Sequence, residues 1–177
     1  SWTNMVATQS ISGERKNKEN DLWLTGGLKI TPLKDWTINV DYTYNMYILS
    51  KKQHGKEILE HTANPDIVTV FPHTTPSRVK FTTDDNYYQT FNAYTDYTKS
   101  LGKHNIKLLL GYNYETKSYR WFNAERENLI SNDLPGLGQA YGEKYNGSGQ
   151  HSWATMGYFA RINYNYAERY LLELNGR

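Results

Sequence analysis

Hydrophobic and polar positions alternate with period two along most of this chain, which is the signature of strands whose two faces meet different surroundings. From Asp21 to Thr31, Leu22, Leu24, Gly26, Leu28 and Ile30 fall on one face; Trp23, Thr25, Gly27, Lys29 and Thr31 fall on the other. From Trp36 to Tyr47, Trp36, Ile38, Val40, Tyr42, Tyr44 and Met46 oppose Thr37, Asn39, Asp41, Thr43, Asn45 and Tyr47. A noisier run sets Tyr87, Phe91, Ala93 and Tyr97 against Tyr88, Asn92, Tyr94 and Asp96, with Gln89 and Thr95 interrupting the apolar side. Ile106, Leu108, Leu110, Tyr112 and Tyr114 then oppose Lys107, Leu109, Gly111, Asn113 and Glu115. Tyr158, Ala160, Ile162, Tyr164 and Tyr166 oppose Phe159, Arg161, Asn163 and Asn165, and Tyr170, Leu172 and Leu174 begin one run more. The spacing predicts antiparallel strands near 19–31, 36–47, 86–99, 105–116, 153–165 and 169–177.

The connections between these runs alternate short and long. Pro32–Asp35, Ser100–Asn105 and Asn165–Arg169 read as tight turns, whereas 48–86, with Pro65, Pro72 and Pro76, and 116–152 are long and polar. In an up-and-down meander this order sends every short turn to one end and every long loop to the other. That asymmetry is expected of an outer-membrane β-barrel, with brief periplasmic turns and large extracellular loops. Aromatics support the reading. Trp36, Tyr97, Tyr164, Tyr166 and Tyr170 flank the short turns, Tyr42, Tyr44, Tyr87, Tyr112 and Tyr114 approach the long loops, and aliphatics such as Ile38, Val40, Leu108, Leu110 and Ile162 lie between. Two aromatic belts around an apolar band suit two lipid-water interfaces. The charges obey the same parity: Asp41, Asp96, Lys107, Glu115 and Arg161, with Asn92 and Asn163, all fall opposite the apolar face. An arginine at mid-depth on the lipid side costs about 2–4 kcal/mol, so these seven side chains are expected to face a hydrated lumen. A soluble carbohydrate-binding β-sandwich shares the period but explains neither the ordered connections nor the paired belts.

Composition changes the picture in three respects. Only 38% of the 177 residues are hydrophobic and mean hydropathy is −0.79, yet tyrosine contributes 16 residues. No stretch approaches the roughly 18 apolar residues of a membrane helix, but a membrane strand needs only about ten residues of alternating character. The net charge of +2 is spread evenly, so no basic field points to nucleic acid. The absence of cysteine excludes disulfides, Cys-zinc sites and thiol catalysis, and leaves the compartment open.

Candidate chemistry is sparse. His54, His61, His73, His104 and His151 lack metal-ligand spacing and read as solvated loop residues. Pro135-Gly136-Leu137-Gly138 reads as a loop turn and not as a phosphate cradle; Asp84-Asp85 has no oxygen-rich partner run to complete a calcium site; Asn146-Gly147-Ser148 is a formal glycosylation sequon in a flexible loop. No Ser, His and Asp grouping can be assembled, so no enzyme activity, cofactor or metal is expected. Tyr119, Trp121, Phe122 and Asn123, just beyond the fourth run, are the candidate substrate-binding group, since flat rings beside an amide suit a sugar or peptide ligand.

The stretch SWATMGYFARINYNYAERYLLELNGR, from Ser152 to Arg177, resembles a segment of the SusC/RagA-type TonB-dependent transporters of the Bacteroidota outer membrane, in which a Gly-Tyr-Phe-x-Arg-x-Asn-Tyr-x-Tyr strand turns into Arg-Tyr-Leu-Leu-Glu. LLLGYNYE at Leu108–Glu115 and SNDLP at Ser131–Pro135 resemble two further family features. In that family an Asp-Gly-Ser-Ser-Arg-Phe motif usually follows the final Arg, and the sequence stops at Arg177 before it could appear. The resemblance implies a barrel of 22 strands with an N-terminal plug, of which residues 1–177 form an internal partial barrel. It also implies TonB-powered import of oligosaccharides or oligopeptides, a SusD-like surface lipoprotein as partner, and surrounding outer-membrane lipid.

Overall fold

A computed structural model describes residues 13–61, 64, 66–71 and 74–177; Pro65, Pro72 and His73 lie outside the described residues. The strands are β1 (Gly13–Leu33), β2 (Trp36–Gly55), β3 (Leu59–His61), β4 (Val68–Val70), β5 (Arg78–Leu101), β6 (His104–Glu127), β7 (Lys144–Tyr166) and β8 (Tyr170–Gly176). They form one antiparallel six-stranded sheet in the order β1-β2-β5-β6-β7-β8 and a small sheet pairing β3 with β4. Each long strand pairs with its sequence neighbour in the large sheet. The expected meander is therefore present, and the described residues supply no second large sheet for a sandwich.

The long strands run well past the predicted ends. The stretches 48–86 and 116–152 are mostly ladder: β2 continues to Gly55, β5 begins at Arg78, β6 continues to Glu127 and β7 begins at Lys144. Hydropathy hid these extensions because a ladder needs backbone pairing, not apolar side chains. Here the alternating positions carry charges that pair across strands, including Lys51 with Asp84 at 3.4 Å and Lys80 with Glu125 at 3.2 Å.

By internal packing the chain divides into two compact units. The turn unit comprises Asp21–Tyr47, Asn86–Tyr119 and His151–Arg177 and contains all three short turns. Asp35 anchors the first, accepting from the Thr98 amide at 2.8 Å and from Lys99 Nζ at 2.9 Å. The Trp36 indole donates to Thr95 Oγ1 at 2.6 Å, and that hydroxyl donates on to the Thr37 carbonyl at 3.1 Å. The last turn is held by the Ala167 amide donating to the Lys103 carbonyl at 2.7 Å. Ile162 stands opposite Leu174, Tyr164 opposite Leu172, and Arg161 opposite Asn175 across the β7–β8 ladder. Leu24, Leu28, Leu110, Tyr158, Ile162, Leu172 and Leu174 are all exposed, Tyr158 by 73%. Among the described residues this unit buries no hydrophobic side chain.

The loop unit comprises, among the described residues, 13–20, Ile48–Asp85 and Arg120–Gln150. It holds the buried apolar residues Ile58, Val79 and Ala140. The second long connection is tied to the first through Ser77, which accepts from the Asn128 amide through its carbonyl and from the Leu129 amide through Oγ, at 2.8 and 3.0 Å. Arg126 Nη1 donates to the Leu137 carbonyl at 3.0 Å, clamping a short 3-10 turn at Leu137–Gln139.

Candidate functional site

In the turn unit, the side of the strands opposite the aliphatic face carries a continuous set of polar contacts. Asn45, one of the few buried polar residues, donates to Asp21 Oδ1 at 2.7 Å and to the Leu22 carbonyl at 3.1 Å. Thr25 and Thr43 share a hydroxyl hydrogen bond of 3.1 Å, and the rings of Trp23 and Tyr88 meet at 6.4 Å. Tyr88 is hydrogen-bonded to Glu115, and Asn113 donates to Asn92 Oδ1 at 2.6 Å. Arg161 Nε donates to Asn175 Oδ1 at 2.7 Å, with Glu173 at 3.8 Å; Asn163 stands opposite Glu173 and keeps a buried Oδ1 without a partner among the described residues. Gly27 leaves room for the Asp41 carboxylate, since a Cβ there stands 2.7 Å from its Oδ1. Asp96 is half-buried on β5, and Lys107 is exposed on β6 and lines a surface concavity with Asn163 and Glu173.

Tyr119, Trp121, Phe122 and Asn123 lie within β6 and not in a loop. Strand parity separates them: Tyr119, Trp121 and Asn123 share one parity and Phe122, 51% exposed, has the other. In the turn unit the Tyr119 and His151 rings meet at 5.1 Å. In the loop unit the Trp121 ring covers Gly147 and Gly149, with Asn123 Nδ2 also beside Gly147.

The histidines are not solvated loop residues as a group. His54 is buried on β2, His104 Nδ1 lies 2.7 Å from the Tyr164 hydroxyl, and His151 contacts Tyr119. Asp84 and Asp85 point their carboxylates to separate cations, Lys51 at 3.4 Å and Arg120 at 3.9 Å, so the pair does not converge on one ion. Among the described residues no three His, Asp or Glu side chains gather as a metal site.

Sequence reasoning missed a charged basin in the loop unit, bounded by Glu14, Arg15, His54, Arg78, Lys80 and Glu125. The available signal was the continuation of period two, with charges at Arg78, Lys80 and Glu125, into segments read as loop.

The described fold is therefore an all-β, antiparallel up-and-down sheet of the outer-membrane barrel type. Among solved structures it is similar to the RagAB peptide transporter, with a TM-score of 0.80 at 16% identity over 96% of this chain. It is likewise similar to the RagAB peptide importer in its closed-closed state (TM-score 0.79, 16% identity, 93% of this chain) and in its open-open state (0.81, 14%, 96%). In each comparison this chain spans about 18% of the length of the chain it matches. This agrees in fold with the SusC/RagA resemblance read from Ser152–Arg177. No family model matches the chain, and no curated protein does.

Proposed function

We propose that this chain is an internal arc of an outer-membrane transport barrel that imports oligosaccharides or oligopeptides, powered through TonB and working with a SusD-like surface lipoprotein. The observation that carries the reading is the turn unit's uncovered aliphatic face. A six-stranded sheet exposing Leu24, Leu28, Leu110, Tyr158, Ile162 and Leu174 over no buried apolar layer lacks the apolar burial that supports a sheet in water. Bilayer hydrocarbon supplies that cover, and the strands satisfy their backbone groups within the ladder.

In this reading Asp41, Asn92, Asp96, Lys107, Glu115, Arg161 and Asn163 face the lumen. Tyr119, Trp121 and Asn123 share the parity that faces substrate, and Phe122 faces away. The long connections lie on the cell surface and the short turns in the periplasm. Fractionation of cells expressing the full-length protein tests the proposal. Recovery in the outer membrane, with detergent needed to keep the purified protein monodisperse, is the expected result. A folded monomer in plain buffer overturns it.

A further inference from the structure

The polar side of the turn unit contains a cleft of about 720 Å3, within the size range of small-molecule sites. Trp23 of β1 and Tyr88 of β5 supply its two rings, and Thr43 and Asn45 belong to β2, the strand between them. The ring centroids are 6.4 Å apart and the planes are tilted by 55°, so neither face is stacked on the other. Both rings are held by their polar tips. The Trp23 indole donates to Asp21 Oδ2 at 3.2 Å, and Asp21 Oδ1 accepts from the amide of the buried Asn45 at 2.7 Å. The Tyr88 hydroxyl is hydrogen-bonded to Glu115. With the tips engaged, the pair offers a ligand ring face, and rings fixed in this way lose little rotamer freedom on binding.

The rest of the lining is hydroxyl, amide and one charge of each sign. Thr90 contributes a hydroxyl and Asn86 an amide, while Asp21 and Lys117 supply the carboxylate and the ammonium group. No field of a single sign selects an ion here. Nor does the site offer main chain: β2, β5 and β6 each have sheet partners on both edges, so a peptide cannot be read there by strand addition. Recognition falls to side chains alone. The ligand they suit has a flat C–H face for the rings and hydroxyls that both donate and accept.

We infer that this cleft is a subsite for one pyranose ring of a neutral oligosaccharide, stacked on Trp23 and hydrogen-bonded at its rim by Asn86 and Lys117. The inference rests on the import reading, which directs this side of the strands to a hydrated lumen. It narrows that reading by selecting oligosaccharide over oligopeptide at this site.

Saturation-transfer NMR on the detergent-purified full-length protein tests it. The probes are linear gluco-, galacto-, manno- and xylo-oligosaccharides, α- and β-linked, set against blocked tetra-alanine and a blocked alanine tetrapeptide carrying one tyrosine. At least one oligosaccharide should bind, with saturation strongest on the C–H protons of one ring face. Trp23→Ala should weaken that binding about fivefold or more, and Trp23→Phe, which keeps a ring without the bond to Asp21, should restore part of it. Asn86→Ala should weaken binding without changing which sugar face is saturated. Folding of the variants is checked by heat-modifiable electrophoretic mobility. Binding by none of the oligosaccharides, binding unchanged in Trp23→Ala, or binding lost in Trp121→Ala but kept in Trp23→Ala each overturns the assignment and leaves the import reading standing. So does Trp23-dependent binding of the tyrosine peptide more tightly than of any oligosaccharide. A protein found outside the outer membrane defeats the import reading, yet the NMR measurement still reports on the cleft.

Discussion

The Trp121 indole covers Gly149 so closely that a Cβ on that glycine would stand 2.5 Å from Nε1 and 2.9 Å from Cε2. Gly147 meets the far edge of the same ring, at 3.2 Å from Cη2 and Cζ3. The glycines of β7 therefore form a flat seat that fixes the ring, and a fixed aromatic plane is suited to ligand stacking because little rotamer freedom remains to be lost on binding. In the full-length protein, under the proposed import function, Trp121→Ala is expected to lower uptake several-fold with surface abundance unchanged, and Gly149→Val, which displaces the ring, to do the same. Phe122→Ala, of opposite parity, should leave uptake intact. Uptake that falls only in step with abundance assigns Trp121 to packing alone.

Topology is checked by labelling intact cells. Cysteine introduced at Lys56 or Lys144, both belonging to the loop unit, should react with an impermeant maleimide. Cysteine at Lys34 or Lys103, both in short turns, should react only after the outer membrane is permeabilised. The reverse pattern would invert the proposed orientation.

Legibility in the sequence followed what each segment's faces contact. Where one face is aliphatic, as in Trp36–Tyr47 and Ile106–Glu115, period two located the strands and their pairing order. Past Tyr47 and before Asn86 the same ladder continues with Lys51 against Asp84 and Lys80 against Glu125, and hydropathy carries no strand signal there. Phe122 looked like a partner of Trp121 because proximity in sequence does not distinguish a loop cluster from two faces of a strand. His54 gave no hint of burial, since its cover comes from residues distant in sequence, such as Gly13, whose Cβ would collide with the His54 carbonyl. Of the buried trio, Ile58 and Ala140 lie outside the strands, and Val79 sits between Arg78 and Lys80 at the start of β5, beyond the predicted runs.

The β7–β8 turn is strained. Ala167 and Glu168 adopt φ of 53° and 59°, the left-handed conformation at both central positions of the Tyr166–Arg169 turn, which the Arg169 amide closes by donating to the Tyr166 carbonyl at 3.0 Å and which asparagine and glycine accept more readily. Ala167→Asn combined with Glu168→Gly is expected to stabilise the protein by about 1–2 kcal/mol. Urea unfolding in detergent micelles measures this. The Ala167 amide bond to the Lys103 carbonyl is unchanged by either substitution, so a loss of stability would show that the side chains make contacts outweighing the backbone strain.

His54 gives the loop unit a pH dependence of definite sign. Its pKa lies below the ordinary 6.5, first because burial disfavours the imidazolium and then because Lys56 and Lys52 repel it; Glu14 and Asp133 offset this only in part. A proton therefore binds the opened segment more readily than the closed one. The stabilisation is complete above about 6.5 and is lost progressively as pH falls through that value toward the depressed folded value. Amide exchange at Gln53–Gly55, corrected for intrinsic rates, should thus show faster opening at pH 5.5 than at pH 7.5. His54→Leu should remove the difference, since it deletes the only side chain among Gln53, His54 and Gly55 that gains a proton in this range. If the acceleration persists in His54→Leu, another group controls the opening, and the carboxylates facing the basin, Glu14 and Glu125, are the next to replace.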